Sequence, residues 1–274
     1  MISLDGFGAK LYLCIVLHPK VAEVRKLDFL LCALPSAYLF FKKLCLMAGF
    51  PLCLFVGHAS LEMSADELNA RRVAAFSPAP CTFGKLLFGK TTEAEDTAVI
   101  AACGALAERK LHILAVPSLT VPQLEIQARN VHAQVVMVDY LGLLSAADRK
   151  ASEYERITQV SGDLKRLAKR LNCVVIALCQ LNRESATGSA DTRPKLSQLR
   201  SSGAIEQDAD GVLLLHRPEY GQTEIQRDPA EPQEYLIDVS KNRHGRCGTA
   251  KLEWWAPVNR FVDRTGRWEV KSWT

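Results

Sequence analysis

The run Val135-Val136-Met137-Val138-Asp139-Tyr140 constrains the fold of this chain more than any other stretch, because an apolar, largely β-branched segment ends abruptly in a carboxylate. Uninterrupted apolarity suits a strand covered on both faces of a parallel sheet, whereas a strand with one wet face alternates. Cover on both faces calls for helices on both sides, and so for an α/β fold. Asp139 then lies where the strand leaves the sheet at its carboxyl end, the edge at which open α/β sheets bind ligands. There an acid either helps hold, through water, the Mg²⁺ that bridges the outer phosphates of a nucleotide, or simply caps the next turn.

The rest of the composition is that of an ordinary globular protein, with 274 residues, 48% hydrophobic and 23% charged. A net charge of +4 sets up no strong overall field, so contact with nucleic acid has to come from local basic clusters. Nine cysteines with no CxxC pair argue against a zinc site or a disulfide framework and for reduced thiols in a cytoplasmic setting. The uncharged runs 29–41 and 44–57 are separated by Lys42 and Lys43, and each is shorter than the roughly 20 residues of a spanning helix. Lys10 is the lone basic residue of the first nineteen and no small-residue cleavage site follows, so neither a membrane span nor a signal peptide is expected. Residues 1–58 carry six Lys or Arg against three Asp or Glu, while the remainder is nearly balanced. That shift divides the chain into an atypical segment, 1–58, and a main domain, 59–274.

Taken in order, residues 1–26 carry no clear signal. Strands are expected at 27–34 and 52–56, with a helix at 37–48 between them. Ser64 and Glu67 have the spacing of a capping box that opens a helix running to Phe76. Glu62, between strand end and helix start, is placed either as a catalytic base or as a plain first-turn acid. Gly84-Lys85-Leu86-Leu87-Phe88-Gly89-Lys90-Thr91 formally matches the phosphate-binding pattern GxxxxGK[ST]. Pro78 and Pro80 stand where that motif needs a strand, and its variable positions are bulky, so it reads as a decoy. Helices are expected at 93–109, 120–132 and 152–171, and strands at 111–116, 135–139, 174–178 and 211–215. Gln180 falls at another strand end, suited to sensing a terminal phosphate or to capping a loop. Residues 184–195 read as a loop and 217–233 as a surface excursion. Strands at 235–239, 248–254 and 259–262 follow, with Lys241-Asn242-Arg243-His244-Gly245 as a hairpin tip. Strands alternating with helices, with polar residues at successive strand ends, indicate a parallel α/β domain with a nucleotide at its carboxyl edge.

Five segments in order carry a resemblance: SLEM at 60–63, VVMVDYLGLL at 135–144, ALCQLNR at 177–183, LRSSGAIEQDAD at 199–210 and SKNRHGRCGT at 240–249. Together they closely resemble the carboxyl-terminal motor domain of DnaB-type replicative helicases, over about residues 59–263. The resemblance implies a RecA-like P-loop NTPase fold, mainly a parallel sheet flanked by helices, with a C-terminal β-hairpin region. It implies ATP-dependent 5′→3′ translocation on single-stranded DNA as a homo-oligomeric, hexameric ring, with ATP and Mg²⁺ as cofactors and primase or a helicase loader as further partners. Residue by residue, it makes Glu62 the catalytic glutamate that polarises the attacking water, Asp139 the Walker B aspartate that holds Mg²⁺, and Gln180 the γ-phosphate sensor. Lys241 and Arg243 match a basic pair that reaches the neighbouring subunit's nucleotide, an arginine finger in trans. Arg200, Ser201 and Gly203 fall on the channel loop that holds DNA, and Arg71 faces the nucleotide.

The chain departs from the family at one place. Where the family's P-loop has a sequence such as Arg-Pro-Ser-Met-Gly-Lys-Thr, this chain has Leu34-Pro35-Ser36-Ala37-Tyr38-Leu39-Phe40. The glycine, the phosphate-binding lysine and the Mg²⁺-binding threonine are replaced by Tyr38, Leu39 and Phe40. An alternative function therefore stands beside the first, a non-hydrolysing DNA-binding or ring-assembly module descended from such a helicase. A stand-alone RecA-like ATPase is a third. The composition change near 58, with no counterpart of the family's amino-terminal domain, leads us to expect an alternative start, a truncated gene or a shifted frame upstream of SLEM.

Overall fold

The apolar run does form a central strand. The structure, a computed structural model, describes residues 12–17, 56–61, 63–78, 81–146, 151–180, 193–196, 202–216, 218, 231–243, 245–258, 260–263 and 269–270. The strands are β1 (Tyr12–Leu17), β2 (Val56–Ser60), β3 (Leu111–Ala115), β4 (Val135–Asp139), β5 (Val174–Gln180), β6 (Gly211–His216), β7 (Gln233–Asn242), β8 (Gly248–Trp255), β9 (Arg260–Asp263) and β10 (Glu269–Val270). They join in one sheet ordered β10-β8-β7-β6-β1-β5-β4-β2-β3, with β9 paired to β8. The helices are α1 (Ala65–Phe76), α2 (Phe83–Phe88), α3 (Glu93–Ala107), α4 (Val121–Asn130), α5 (Glu153–Leu171) and α6 (Ser202–Asp208).

Neighbours β3, β2, β4 and β5 are parallel, as the α/β reading requires. Successive side chains of β5 go to opposite faces: Val175, Ala177 and Cys179 join the core under the helices, while Ile176 and Leu178 join a second apolar cluster with Leu213, Ile237 and Leu252. Burial on both faces explains the absence of alternation in the sequence.

Helix α5 illustrates how the first of these cores is built. Ser152 and Glu155 close a capping box, and Asn172 ends the helix in the left-handed conformation. Between them Ile157, Val160, Leu164, Leu167 and Ala168 form a buried stripe at three- and four-residue spacings. On the antiparallel side, Tyr235, Trp254 and Phe261 pack ring against ring, and the Arg260 guanidinium donates to Ala75 O at 2.8 Å and Ser77 O at 3.1 Å, tying β9 to the end of α1.

Three sequence expectations are modified. Of the strand expected at 52–56 only residue 56 is described, where it opens β2 (Val56–Ser60), so the sheet continues up to the SLEM segment; residues 52–55 lie outside the described residues. Residues 12–17, which gave no signal, form β1 and pair on both sides in the middle of the sheet. The shift in composition near 58 therefore does not separate two sheets. The strand at 27–34 and the helix at 37–48 lie outside the described residues.

Among the described residues no helix is long and apolar enough to cross a membrane. Cys173 is fully buried and its thiol is pushed up to about 12 by desolvation, whereas Cys103 is exposed. Because the thiolate is the reactive form, Cys103 should be alkylated at pH 8 and Cys173 protected until the chain unfolds. Equal labelling of the two in the native chain, read by mass spectrometry, would contradict the packing under α5.

Candidate functional site

The carboxyl edge of the parallel strands is built from the ends of β2, β4 and β5. Ser60 pairs with Asp139, and the Leu61 amide donates to Asp139 O at 2.9 Å. Buried Ser60 then shapes the next turn, since its Oγ both accepts from Met63 N and donates to Met63 O, each at 3.1 Å. Glu62 lies outside the described residues. Asp139, half-buried, ends β4 and is followed by a tight turn over Leu141–Leu143. Arg156 of α5 fixes the turn by donating to Gly142 O at 2.6 Å and Leu144 O at 3.0 Å. A Cβ at 142 would meet the Tyr140 ring at 2.8 Å, so any larger residue there would have to displace that ring. Gln180 ends β5, two strands from the Ser60 of β2. The structure thus brings Asp139 and Gln180 to one edge, as expected.

Beyond Gln180 lies β1, and its direction matters. Tyr12 pairs with Gln180 and Leu17 with Val175, and β1 is antiparallel to β6 as well. The chain therefore enters the sheet at the carboxyl edge and leaves at the opposite one. A phosphate-binding loop needs a strand that leaves at the carboxyl edge and turns into a helix whose amides face the phosphates. The strand beside Gln180 runs the wrong way for that.

The formal motif at 84–91 does not substitute. Helix α2 covers Gly84 to Phe88, Thr82 caps it, and Gly89 closes it at φ +61°. Lys85 is paired with Glu95 at 2.6 Å. With its backbone committed to a helix rather than curled as a nest, the segment is the decoy that its prolines suggested. Lys90→Ala is accordingly expected to leave a calorimetric titration with a non-hydrolysable ATP analogue and Mg²⁺ unchanged, and a binding signal lost with Lys90 would overturn the assignment.

Arg71 is placed in packing, its guanidinium 5.0 Å from the centroid of the Phe83 ring, a cation–π contact that joins α1 to α2. Gly203, in the first turn of α6, is exposed, with open space around it. Arg200 and Ser201 lie outside the described residues.

Lys241 and Arg243 sit at the other edge. β7 continues through Lys241 and Asn242, so only Arg243 begins the turn, a longer strand than the hairpin tip read from sequence. Asn242 pairs with Gly211, at the start of β6, and Gly211 pairs with Val16 near the end of β1. Val16 also pairs with Ile176, so the basic pair lies about four residues, ~13 Å, along the strands and three strands, ~14 Å, across the sheet from Gln180, roughly 20 Å in all. Arg243 donates from its amide to Asp210 O at 2.8 Å, from Nη1 to Asp210 Oδ1 at 2.8 Å and from Nη2 to Gln207 O at 3.1 Å. Lys241 Nζ donates to Glu206 O, and burial, followed by repulsion from Arg243, draws its ammonium below the usual lysine range. Asp210, 3% exposed, also pairs with Lys165 of α5, while Ser161 Oγ donates to Asp208 at 2.8 Å. Lys165, Ser161 and Asp208 had no sequence signal, since only the fold brings α5 to the end of α6.

The family model for the DnaB-like helicase C-terminal domain matches residues 42–263. The chain belongs to this DnaB-like family. Replicative DNA helicase DnaB of Treponema pallidum is 38% identical over 207 residues, covering 74% of this chain and 43% of that protein. The Geobacillus stearothermophilus DnaB is 33% identical over 215 residues, 77% of this chain and 46% of that one. This chain thus spans less than half the length of these DnaB relatives. A solved DnaB-like replicative helicase, described with its interactions with primase, superimposes with a TM-score of 0.69 at 29% identity, covering 76% of this chain and 50% of that one. A solved ATPase domain gives 0.72 at 28% identity, covering 84% and 81%. The RecA-like motor fold of the DnaB type is thereby established. The match begins just past residues 34–40.

DnaB-like domains imply MgATP. The residues present fit its metal and γ-phosphate sides, through Asp139 and Gln180, but not its cradle: the lysine and threonine are missing from 34–40, and β1 enters where a phosphate loop should leave. We therefore assign no hydrolytic step to this chain's own edge.

Proposed function

We propose that this chain is a ring subunit of a DnaB-type replicative helicase motor, one that grips single-stranded DNA and lends Lys241 and Arg243 to a nucleotide held by the adjoining subunit. The observation that carries this reading is the separation of the two half-sites across the sheet. A guanidinium roughly 20 Å from Gln180 does not reach its own carboxyl edge. In a head-to-tail ring, however, one edge of each subunit faces the other edge of the next. Arg243 then offers a planar fork to phosphate oxygens whose charge develops during transfer, and Lys241 a point charge beside it. A homohexamer of this chain alone would have fingers without cradles, so the ring that it serves takes its ATP on subunits carrying the Gly-Lys-Thr loop. Primase, with which one DnaB-like structural relative interacts, is a partner of the assembled ring.

A complementation assay tests this. A full-length DnaB whose finger arginine is changed to alanine keeps its cradle but hydrolyses ATP poorly; adding this chain should restore DNA-stimulated hydrolysis. No gain, with co-assembly verified by light scattering, would rule the reading out.

Contact with DNA through Arg200, Ser201 and Gly203 is electrostatic and blind to sequence. Binding of fluorescent oligonucleotides should weaken with salt, with a slope of about 0.7 per phosphate contacted, and should lose one such contact in Arg200→Ala. Affinity independent of salt would remove the DNA-gripping part of the proposal.

A further inference from the structure

The polar cluster at the amino edge joins three elements that sequence reading treats separately: the hairpin end of β7, helix α6 just after the DNA-holding loop, and the long helix α5. At its centre is Asp210. Its carboxylate receives Arg243 Nη1 at 2.8 Å and pairs with Lys165, its carbonyl receives the Arg243 amide at 2.8 Å, and only 3% of the residue is exposed. Arg243 completes the arrangement by donating Nη2 to Gln207 O at 3.1 Å, and Lys241 holds Glu206 O, so both members of the basic pair rest on the end of α6. The Arg243 side chain is nonetheless 46% exposed. It is anchored along one side and open on the other.

From this we propose that Asp210 is the positioning residue for the trans-acting Arg243, setting the guanidinium's direction and linking it to the helix that follows the DNA loop. The inference rests on the reading of Arg243 as a finger for the neighbouring subunit. A long side chain in a turn samples many rotamers, and a finger is effective only when its fork is aimed before the phosphate arrives. Asp210 provides that aim because its own position is fixed by burial and by Lys165 on a core helix. Since the α6 carbonyls of Glu206 and Gln207 receive the same basic pair, displacement of α6 by DNA is transmitted to Lys241 and Arg243 through hydrogen bonds, without a change in the sheet.

The test compares Asp210→Asn with Asp210→Glu in the complementation assay. Asparagine matches the volume of the native side chain but has no charge; glutamate keeps the charge but adds a methylene to a packed site. A purely structural Asp210 would tolerate asparagine better. Positioning through charge predicts the reverse: restored kcat falls roughly tenfold with Asn, less with Glu, and KM for ATP, set by the partner's cradle, stays put. Combining Asp210→Asn with Arg243→Ala should do no more harm than Arg243→Ala alone. Asn equal to or better than Glu, or additive losses, would overturn the proposal. Should Asp210→Asn not fold by circular dichroism, Lys165→Met replaces it. That variant removes one of the two holds on the carboxylate, so restored kcat should fall while KM for ATP stays put, and activity held at the native level would count against positioning. An Arg243→Ala variant that still restores hydrolysis would instead sink the underlying finger assignment, leaving the two failures distinct.

Discussion

Arg243→Ala should reduce the hydrolysis that this chain restores to a finger-less DnaB by roughly 10³-fold, the scale on which arginine fingers act in phosphoryl transfer. Such a loss corresponds to about 4 kcal/mol of transition-state stabilisation. It should appear in kcat, because the guanidinium meets charge that develops only as the phosphoryl group transfers, and the partner's cradle sets the ground-state affinity. Arg243→Lys should recover little, since an ammonium cannot fork between Asp210 and the Gln207 carbonyl while facing a phosphate. Steady-state rates over a range of ATP concentrations distinguish these outcomes, and a rate unchanged by Arg243→Ala would exclude the trans role.

Leu164→Ala should produce the largest loss of stability among single core truncations on α5. Leu164 is fully buried in the middle of the helix stripe, against strands whose neighbours are also fully buried. Truncation leaves a cavity costing about 2–5 kcal/mol, or on the order of 10 °C in melting temperature for a chain of this size. Leu164→Met, which keeps the volume, should cost less than about 1.5 kcal/mol. Melting followed by circular dichroism measures both, and a loss below about 1 kcal/mol for the alanine variant would mean that α5 does not seal this core.

The half of the fold that obeys local rules was legible from sequence. The capping box at Ser64 is present where its spacing placed it, the helix expected over 152–171 is found at Glu153–Leu171, and the apolar runs ending at Asp139 and Gln180 are central strands. Strand β1 was missed although Leu11-Tyr12-Leu13-Cys14-Ile15-Val16-Leu17 is itself an apolar run, because nothing local says whether such a run belongs at the centre of a sheet or which way it points. The site divides in the same manner. Asp139 and Gln180 are strand ends, readable from where apolarity stops. The ties of Asp210 to Lys165 and Arg243 join residues distant in sequence and brought together by the crossing of α5, α6 and β7, so no local pattern encodes them.

The position of β1 also sets the order in which the molecule can be completed. Leu13 pairs with Cys179 on one side and Leu214 on the other, so β1, made before both partners, has its two ladder edges filled only once synthesis has passed Leu214. Until then β1 presents at least one unsatisfied ladder edge of the kind that invites pairing with other chains. Contacts spanning so much of the sequence carry a high closure cost and form late. Assembly of this protein is therefore expected to be slow and most prone to aggregation just before β1 has found both its neighbours.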